Sequence, residues 1–142
     1  MSSTGVVQLM PLEPLQAASR WDWIRDGLVH TIAKAGGHQR PEDVYVRVRG
    51  GTAWLYVIVV DGRDIGYLVL TQEHDADGLV LFVWCLWCEP GSAAPHKHAI
   101  YAEIDKLAQA IKAKRIRWWS PLRGWERERF GRKVAVVFER EV

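Results

Sequence analysis

Cys85 and Cys88, three apart, are followed by His96 and His98, and together they carry the ligand types that zinc takes in tetrahedral sites. Residues three apart on a regular strand point to opposite faces. Unless a bulge intervenes, the two thiols cannot share an ion, and no metal is expected there. The same stretch suits a second chemistry. It runs into Glu89-Pro90-Gly91-Ser92-Ala93-Ala94-Pro95, a loop of small and turn-forming residues, and a long amphipathic pattern follows. A buried strand, a small-residue loop and a helix N-terminus make an anion-binding corner. Gly91, Ser92 and Ala93 would face the anion, and His96 and His98, beside Lys97, could help hold a phosphate. A third constellation is basic. Between Lys112 and Lys133, nine Lys and Arg stand against Glu126 and Glu128, a balance of +7, with Trp118, Trp119 and Trp125 interleaved. Such residues can hold a nucleic-acid backbone and stack bases. The alternation Glu126-Arg127-Glu128-Arg129 instead describes an exposed, self-neutralising helix face, so nucleic acid is not the expected partner.

The element that must position the corner is Leu79–Cys88, reading LVLFVWCLWC. A membrane span needs roughly 20 apolar residues, so this run is too short for one, and no membrane is expected as a partner. As a regular strand it places Leu79, Leu81, Val83, Cys85 and Trp87 on one face, and Val80, Phe82, Trp84, Leu86 and Cys88 on the other. Both faces are apolar, which predicts a central strand covered on both sides.

Around it the pattern predicts a first strand over Val6–Leu12, stopped by Pro11 and Pro14. From Leu15 the spacing turns helical, with Trp21, Ile24, Leu28 and Ile32 on one stripe and Gly36-Gly37 as the stop. Gly27 inside that helix costs about 1 kcal/mol relative to alanine and so marks close packing. Pro41-Glu42-Asp43 opens a short helix that Gly50-Gly51 closes, although Val44 to Arg49 alternates like a strand. Strands follow over Ala53–Val60 and Ile65–Thr71, joined by an Asp61-Gly62 hairpin, and Asp75 to Gly78 turns the chain into the Leu79 strand. Ile100, Ile104, Leu107 and Ile111 then form a helical stripe. Arg115–Trp119 reads as a strand, Ser120 through Arg129 as a short helix opened by Pro121, and Val134–Glu139 as the last strand.

A chain of 142 residues suits one domain, 1–142, and 49% hydrophobic with 25% charged residues is a globular composition. A net charge of +2 argues for no partner by itself. Eight tryptophans supply large buried area. Two cysteines are no disulfide framework, and the first ten residues lack the basic start and apolar core of a signal peptide. A cytoplasmic protein, or one packaged from the cytoplasm, is expected.

The order strand, helix, helix, three-strand meander, helix, strand, helix, strand resembles the GNAT fold of the N-acetyltransferase superfamily. That fold is α/β (α+β), with a mixed, mostly antiparallel central sheet flanked by helices. The segment Trp118-Trp119-Ser120-Pro121-Leu122-Arg123-Gly124-Trp125, with Phe130-Gly131 and Phe138-Glu139-Arg140-Glu141, is similar to small GNAT-like proteins of tailed phages and prophages. The resemblance implies that the fourth and fifth strands splay apart and that the pantetheine arm of acetyl-CoA lies between them. It further implies a pyrophosphate loop reading Gln or Arg, two residues, Gly, one residue, Gly or Ala. Gly91 and Ala93 match this loop; Cys88 stands in place of the Gln or Arg, and Pro90 has no N–H to give.

The family's catalytic base is often a glutamate on the central strands, for which Glu89 is the candidate. Its acid is often a tyrosine on the last helix, and no tyrosine follows Tyr101. The expectation is weak acetyl-CoA binding with little or no turnover, in a protein that serves as a virion component or interaction module for phage or host proteins. An active acetyl-CoA-dependent N-acetyltransferase is the alternative, and a nucleic-acid-binding module a further one.

Overall fold

The computed structural model describes residues 6–35, 40–119, 132–134 and 137–141. The chain runs β1 (Val7–Leu12), α1 (Pro14–Ser19), α2 (Trp21–Ala35), α3 (Pro41–Arg49), β2 (Trp54–Val60), β3 (Arg63–Asp75) and β4 (Gly78–Cys88). A 3-10 turn (Ala94–His96), α4 (Lys97–Ala110), β5 (Arg115–Trp119), β6 (Arg132–Val134) and β7 (Val137–Glu141) complete it. The strands form one sheet in the order β1-β2-β3-β4-β5-β7-β6. Only β4 and β5 run parallel among these neighbours, as the intervening α4 requires. The fold is therefore the expected mixed, mostly antiparallel sheet flanked by helices.

Local chemistry accounts for the elements. Asp61 and Gly62 both have positive φ, 52° and 77°, the conformation of the tight hairpin turn that joins β2 to β3. The carboxylate of Asp75 accepts from the amides of Asp77 and Gly78 and closes the next turn. In α3 the proline and acids prevail over the alternating pattern. The side chain of Asp43 caps the Arg40 amide at 2.9 Å, and Val44 and Val48 are buried one turn apart. Val46, which an alternating strand would bury with them, is 68% exposed.

Two element assignments need correction. The helix expected to run on from Leu15 breaks at Arg20 into α1 and α2. The single last strand, Val134–Glu139, is instead the antiparallel pair β6 and β7. The Gly36-Gly37 stop and the helix expected from Ser120 through Arg129 lie outside the described residues.

One face of the sheet carries α4, through Ile100, Ile104 and Ala108; the other carries α2 and α3, through Ile24, Leu28, Ile32, Val44 and Val48. β4 is buried between them as expected, but its faces are not the regular ones. Val69 of β3 pairs with Cys85 while the next residue, Leu70, pairs with Val83, so Trp84 is an extra residue, a bulge. One inserted residue inverts the alternation beyond it. Leu79, Leu81, Val83, Leu86 and Cys88 consequently pack on the α4 side, and Trp84, Cys85 and Trp87 on the α2–α3 side. The bulge precedes Cys85 rather than separating the two cysteines, so they still point to opposite faces.

A strap of charges fastens β5 to the far end of the β3–β4 hairpin. Arg115 and Arg117 donate to Asp75 at 2.9 and 3.0 Å, Arg115 also reaches Asp77, and Arg117 lies 3.8 Å from Glu73. The Asp75 carboxyl is held below its usual range by the amide of Asp77 first, and by the two guanidiniums after it. Two members of the basic cluster are thus neutralised by acids some forty residues earlier.

Candidate functional site

The β4–β5 ladder runs from Val80↔Arg115 to Val83↔Trp118 and ends there. β4 continues through Cys88, so from the Trp84 bulge onward the two parallel strands part among the described residues. The β5 side of the backbone from Trp84 to Cys88 has no strand paired with it among the described residues, and this unpaired stretch is the notch. Trp118 stands at its base, 1% exposed and packed into the α4-side core.

The loop above the notch is a tight turn anchored to β3. The Glu89 amide donates to the Ile65 carbonyl at 2.8 Å, and the Ser92 amide donates back to the Glu89 carbonyl at 3.0 Å. With Pro90 second and Gly91 third at φ +78°, this is a turn of type II, which needs glycine at that place. The Ser92 hydroxyl also donates to the Glu89 carbonyl. Both Ser92 donors are therefore used inside the turn. The amides of Gly91, Ala93 and Ala94 make no turn, loop or cap hydrogen bond to backbone among the described residues. His96 is half-buried where the loop enters α4, its amide bonded to the Ala93 carbonyl. His98 is exposed, its ring 6.5 Å from that of Tyr101.

Glu89, Gly91, Ser92, Ala93 and His96 thus sit together at the mouth of the notch. Cys88, where the resemblance implies Gln or Arg, is half-buried, faces the α4-side core and lies against Gly66. Sequence reasoning missed the Ile65 anchor and the bulge. Gly66, a glycine inside β3, was the available signal for the first, since strand glycines mark close backbone approach.

The α2–α3 side of the notch is walled by aromatic rings. Tyr67, Trp23 and Trp87 pack with centroids 5.4 to 5.9 Å apart, and Tyr67 donates its hydroxyl to the Ile24 carbonyl within α2. Burial, then the nearby Cys85 and Asp26, push the Tyr67 hydroxyl far above its usual range, so it serves as no acid. Arg47 lies over the Trp84 ring at 5.2 Å.

Burial likewise pushes Cys85 from 9.0 up to about 12 and Cys88 up to about 11. Both are neutral thiols and poor nucleophiles at neutral pH. The folded chain holds these protons more tightly than the unfolded chain. Their contribution to stability is therefore whole below the unfolded value of 9.0 and is lost as pH rises toward about 12. From neutral pH up to 9.0 the thiols should leave the urea midpoint level, and above 9.0 it should fall, less steeply in Cys85→Ala. Iodoacetamide near pH 8 should label the native protein far more slowly than the unfolded one; equal rates would contradict this burial.

Among the described residues, no three His, Cys, Asp or Glu side chains converge to hold a metal, and no helix is long and apolar enough to cross a membrane.

No protein-family model and no curated protein matches the sequence. Solved structures do match the fold. An acetyltransferase from Thermus thermophilus superposes with a TM-score of 0.64 at 14% identity, over 96% of this chain and 97% of that one. PaiA N-acetyltransferase from Thermoplasma acidophilum, in complex with coenzyme A, gives 0.60 at 14% identity over the whole of both chains. A predicted acetyltransferase from Clostridium acetobutylicum, with acetyl-CoA, gives 0.63 at 8% identity over 91% and 92%. The fold is GNAT-like.

Proposed function

We propose that this chain is a GNAT-like binding protein whose notch takes acetyl-CoA weakly, with little or no acyl transfer. It would act as an interaction module, in the manner of a phage-encoded virion component. The observation that carries the proposal is the turn at 89–92. It leaves the parted β4 edge open for an extended pantetheine arm, yet depletes the donors that would hold the pyrophosphate. Pro90 has no N–H, Ser92 spends both donors on the Glu89 carbonyl, and Cys88 is turned into the core. Gly91, Ala93 and His96 remain as contacts. Acetyl-CoA would supply an activated thioester; the chain's part is to orient it, take a proton from an acceptor amine and return one to the leaving sulfur. Glu89 stands at the strand end for the first task. For the second, the usual tyrosine is missing: Tyr101 is 8% exposed in the α4-side core, and Tyr67 is committed to Ile24. The segment resembling phage proteins, Trp118 to Trp125, supports the interaction role.

The second reading is an active N-acetyltransferase, favoured by the notch itself. Calorimetry with acetyl-CoA, and release of free CoA over a panel of amines and lysine peptides, separate the two. We expect a Kd weaker than about 10 µM, roughly −7 kcal/mol, and no release above background. A sub-micromolar Kd would overturn the weak-binding part. Robust turnover that disappears in Glu89→Gln would establish the enzyme.

A further inference from the structure

An Asp-Gly pair can react with itself, because glycine places no Cβ to shield its amide nitrogen from the neighbouring carboxyl. This chain has three such pairs, Asp26-Gly27, Asp61-Gly62 and Asp77-Gly78, and no asparagine. The fold treats them differently. Gly27 is buried inside α2, where its amide belongs to the helical ladder, and the Tyr67 hydroxyl and Trp87 ring crowd it. At Asp77-Gly78 the glycine amide donates to the Asp75 carboxylate at 3.2 Å, and Arg115 holds the Asp77 carboxylate. Nothing comparable restrains Asp61-Gly62. Both residues are exposed, and a Cβ on Gly62 would meet no atom within 4 Å. Val60 pairs with Arg63 across this two-residue turn, so the bonds that close it leave the Gly62 amide outside them. The Asp61 carboxylate enters no ion pair or hydrogen bond among the described residues.

We infer that Asp61 is this chain's site of spontaneous conversion to isoaspartate. The Gly62 amide nitrogen attacks the side-chain carboxyl carbon of Asp61. The N–Cγ bond forms, the Cγ–OH bond breaks, and the amide proton leaves with the hydroxyl as water. Water then opens the cyclic imide. Attack at the former main-chain carbonyl carbon breaks its bond to nitrogen and leaves the chain running through Cγ; attack at Cγ restores aspartate. No oxidant or cofactor is consumed, and the mass is unchanged. The β-linked form puts one extra carbon into the main chain, so the turn whose twist matches β2 and β3 is lost.

The test ages the native chain at physiological temperature and pH in water enriched in heavy oxygen, beside a sample unfolded in urea. Peptide mapping with electron-transfer fragmentation tells β-linked from ordinary aspartate, and each opening of the ring leaves one heavy oxygen behind. In urea the three pairs should convert at similar rates. In the native chain Asp61 should convert about tenfold faster than Asp26 or Asp77, since ring closure at those two must wait for local opening. The urea midpoint should fall as isoaspartate accumulates. Equal native rates at the three pairs, or an Asp61 that stays unconverted while the unfolded chain reacts, would overturn the assignment. An unchanged midpoint in converted protein would overturn its consequence for the hairpin.

Discussion

Valine in place of Gly27 should lower the urea midpoint steeply. A Cβ at this position would stand 2.5 Å from the Tyr67 hydroxyl and 2.6 Å from the Trp87 ring, closer than real side chains come. Neither neighbour can yield. Tyr67 is fully buried and bonded to the Ile24 carbonyl, and Trp87 is held between Tyr67 and Trp23. Overpacking costs about 1–3 kcal/mol, and an orphaned Ile24–Tyr67 bond about 1–3 kcal/mol more. That total is a large part of the roughly 5–15 kcal/mol typical of a whole domain. Alanine gives the sharper test, because Gly→Ala inside an unobstructed helix stabilises by about 1 kcal/mol. Here Gly27→Ala should lower the urea midpoint. A raised midpoint would show that α2 is not clamped to the sheet.

Trp118→Ala should cost about 3–5 kcal/mol, the range for emptying a fully buried aromatic site. Trp118 also forms the last pair of the only parallel ladder among the described residues, opposite Val83, so the loss falls at the base of the notch. Trp118→Phe should recover much of the stability. Urea unfolding measures the cost, and calorimetry on the phenylalanine variant should show acetyl-CoA affinity no better than wild type. Stability within about 0.5 kcal/mol of wild type in the alanine variant would contradict the packing described.

Much of this architecture is legible in the chain. Asp61-Gly62 can hardly be anything but a hairpin turn, and the stripes of Ile100 with Ile104 and of Ile24 with Leu28 declare which sides of α4 and α2 are buried. The bulge is not legible, and its reason is specific. Where both faces of a strand are apolar, no polar residue marks which face is which, so one inserted residue leaves the pattern of LVLFVWCLWC unchanged. The faces assigned beyond Trp84, to Cys85 through Cys88, were inverted for that reason alone. The candidate loop was half legible. Pro90-Gly91 spells a type II turn, but that the turn would take both Ser92 donors depends on the Glu89 carbonyl facing them. The basic cluster misleads for a third reason: the acids that neutralise Arg115 and Arg117 are remote in sequence and adjacent only across the sheet.

The extra residue at Trp84 has a protective consequence as well. Trp84 to Cys88 is an uncharged strand edge with no proline or lysine to discourage another chain from pairing with it, the composition that invites strand-on-strand association. A bulge at its root breaks the even spacing of donors and acceptors and increases the local twist. A regular strand from a neighbouring molecule therefore cannot zip up this edge in register with the ladder below it. A short, flexible occupant can still use the donors one at a time. The insertion thereby keeps the β4 edge beyond Val83 from becoming a template for aggregation.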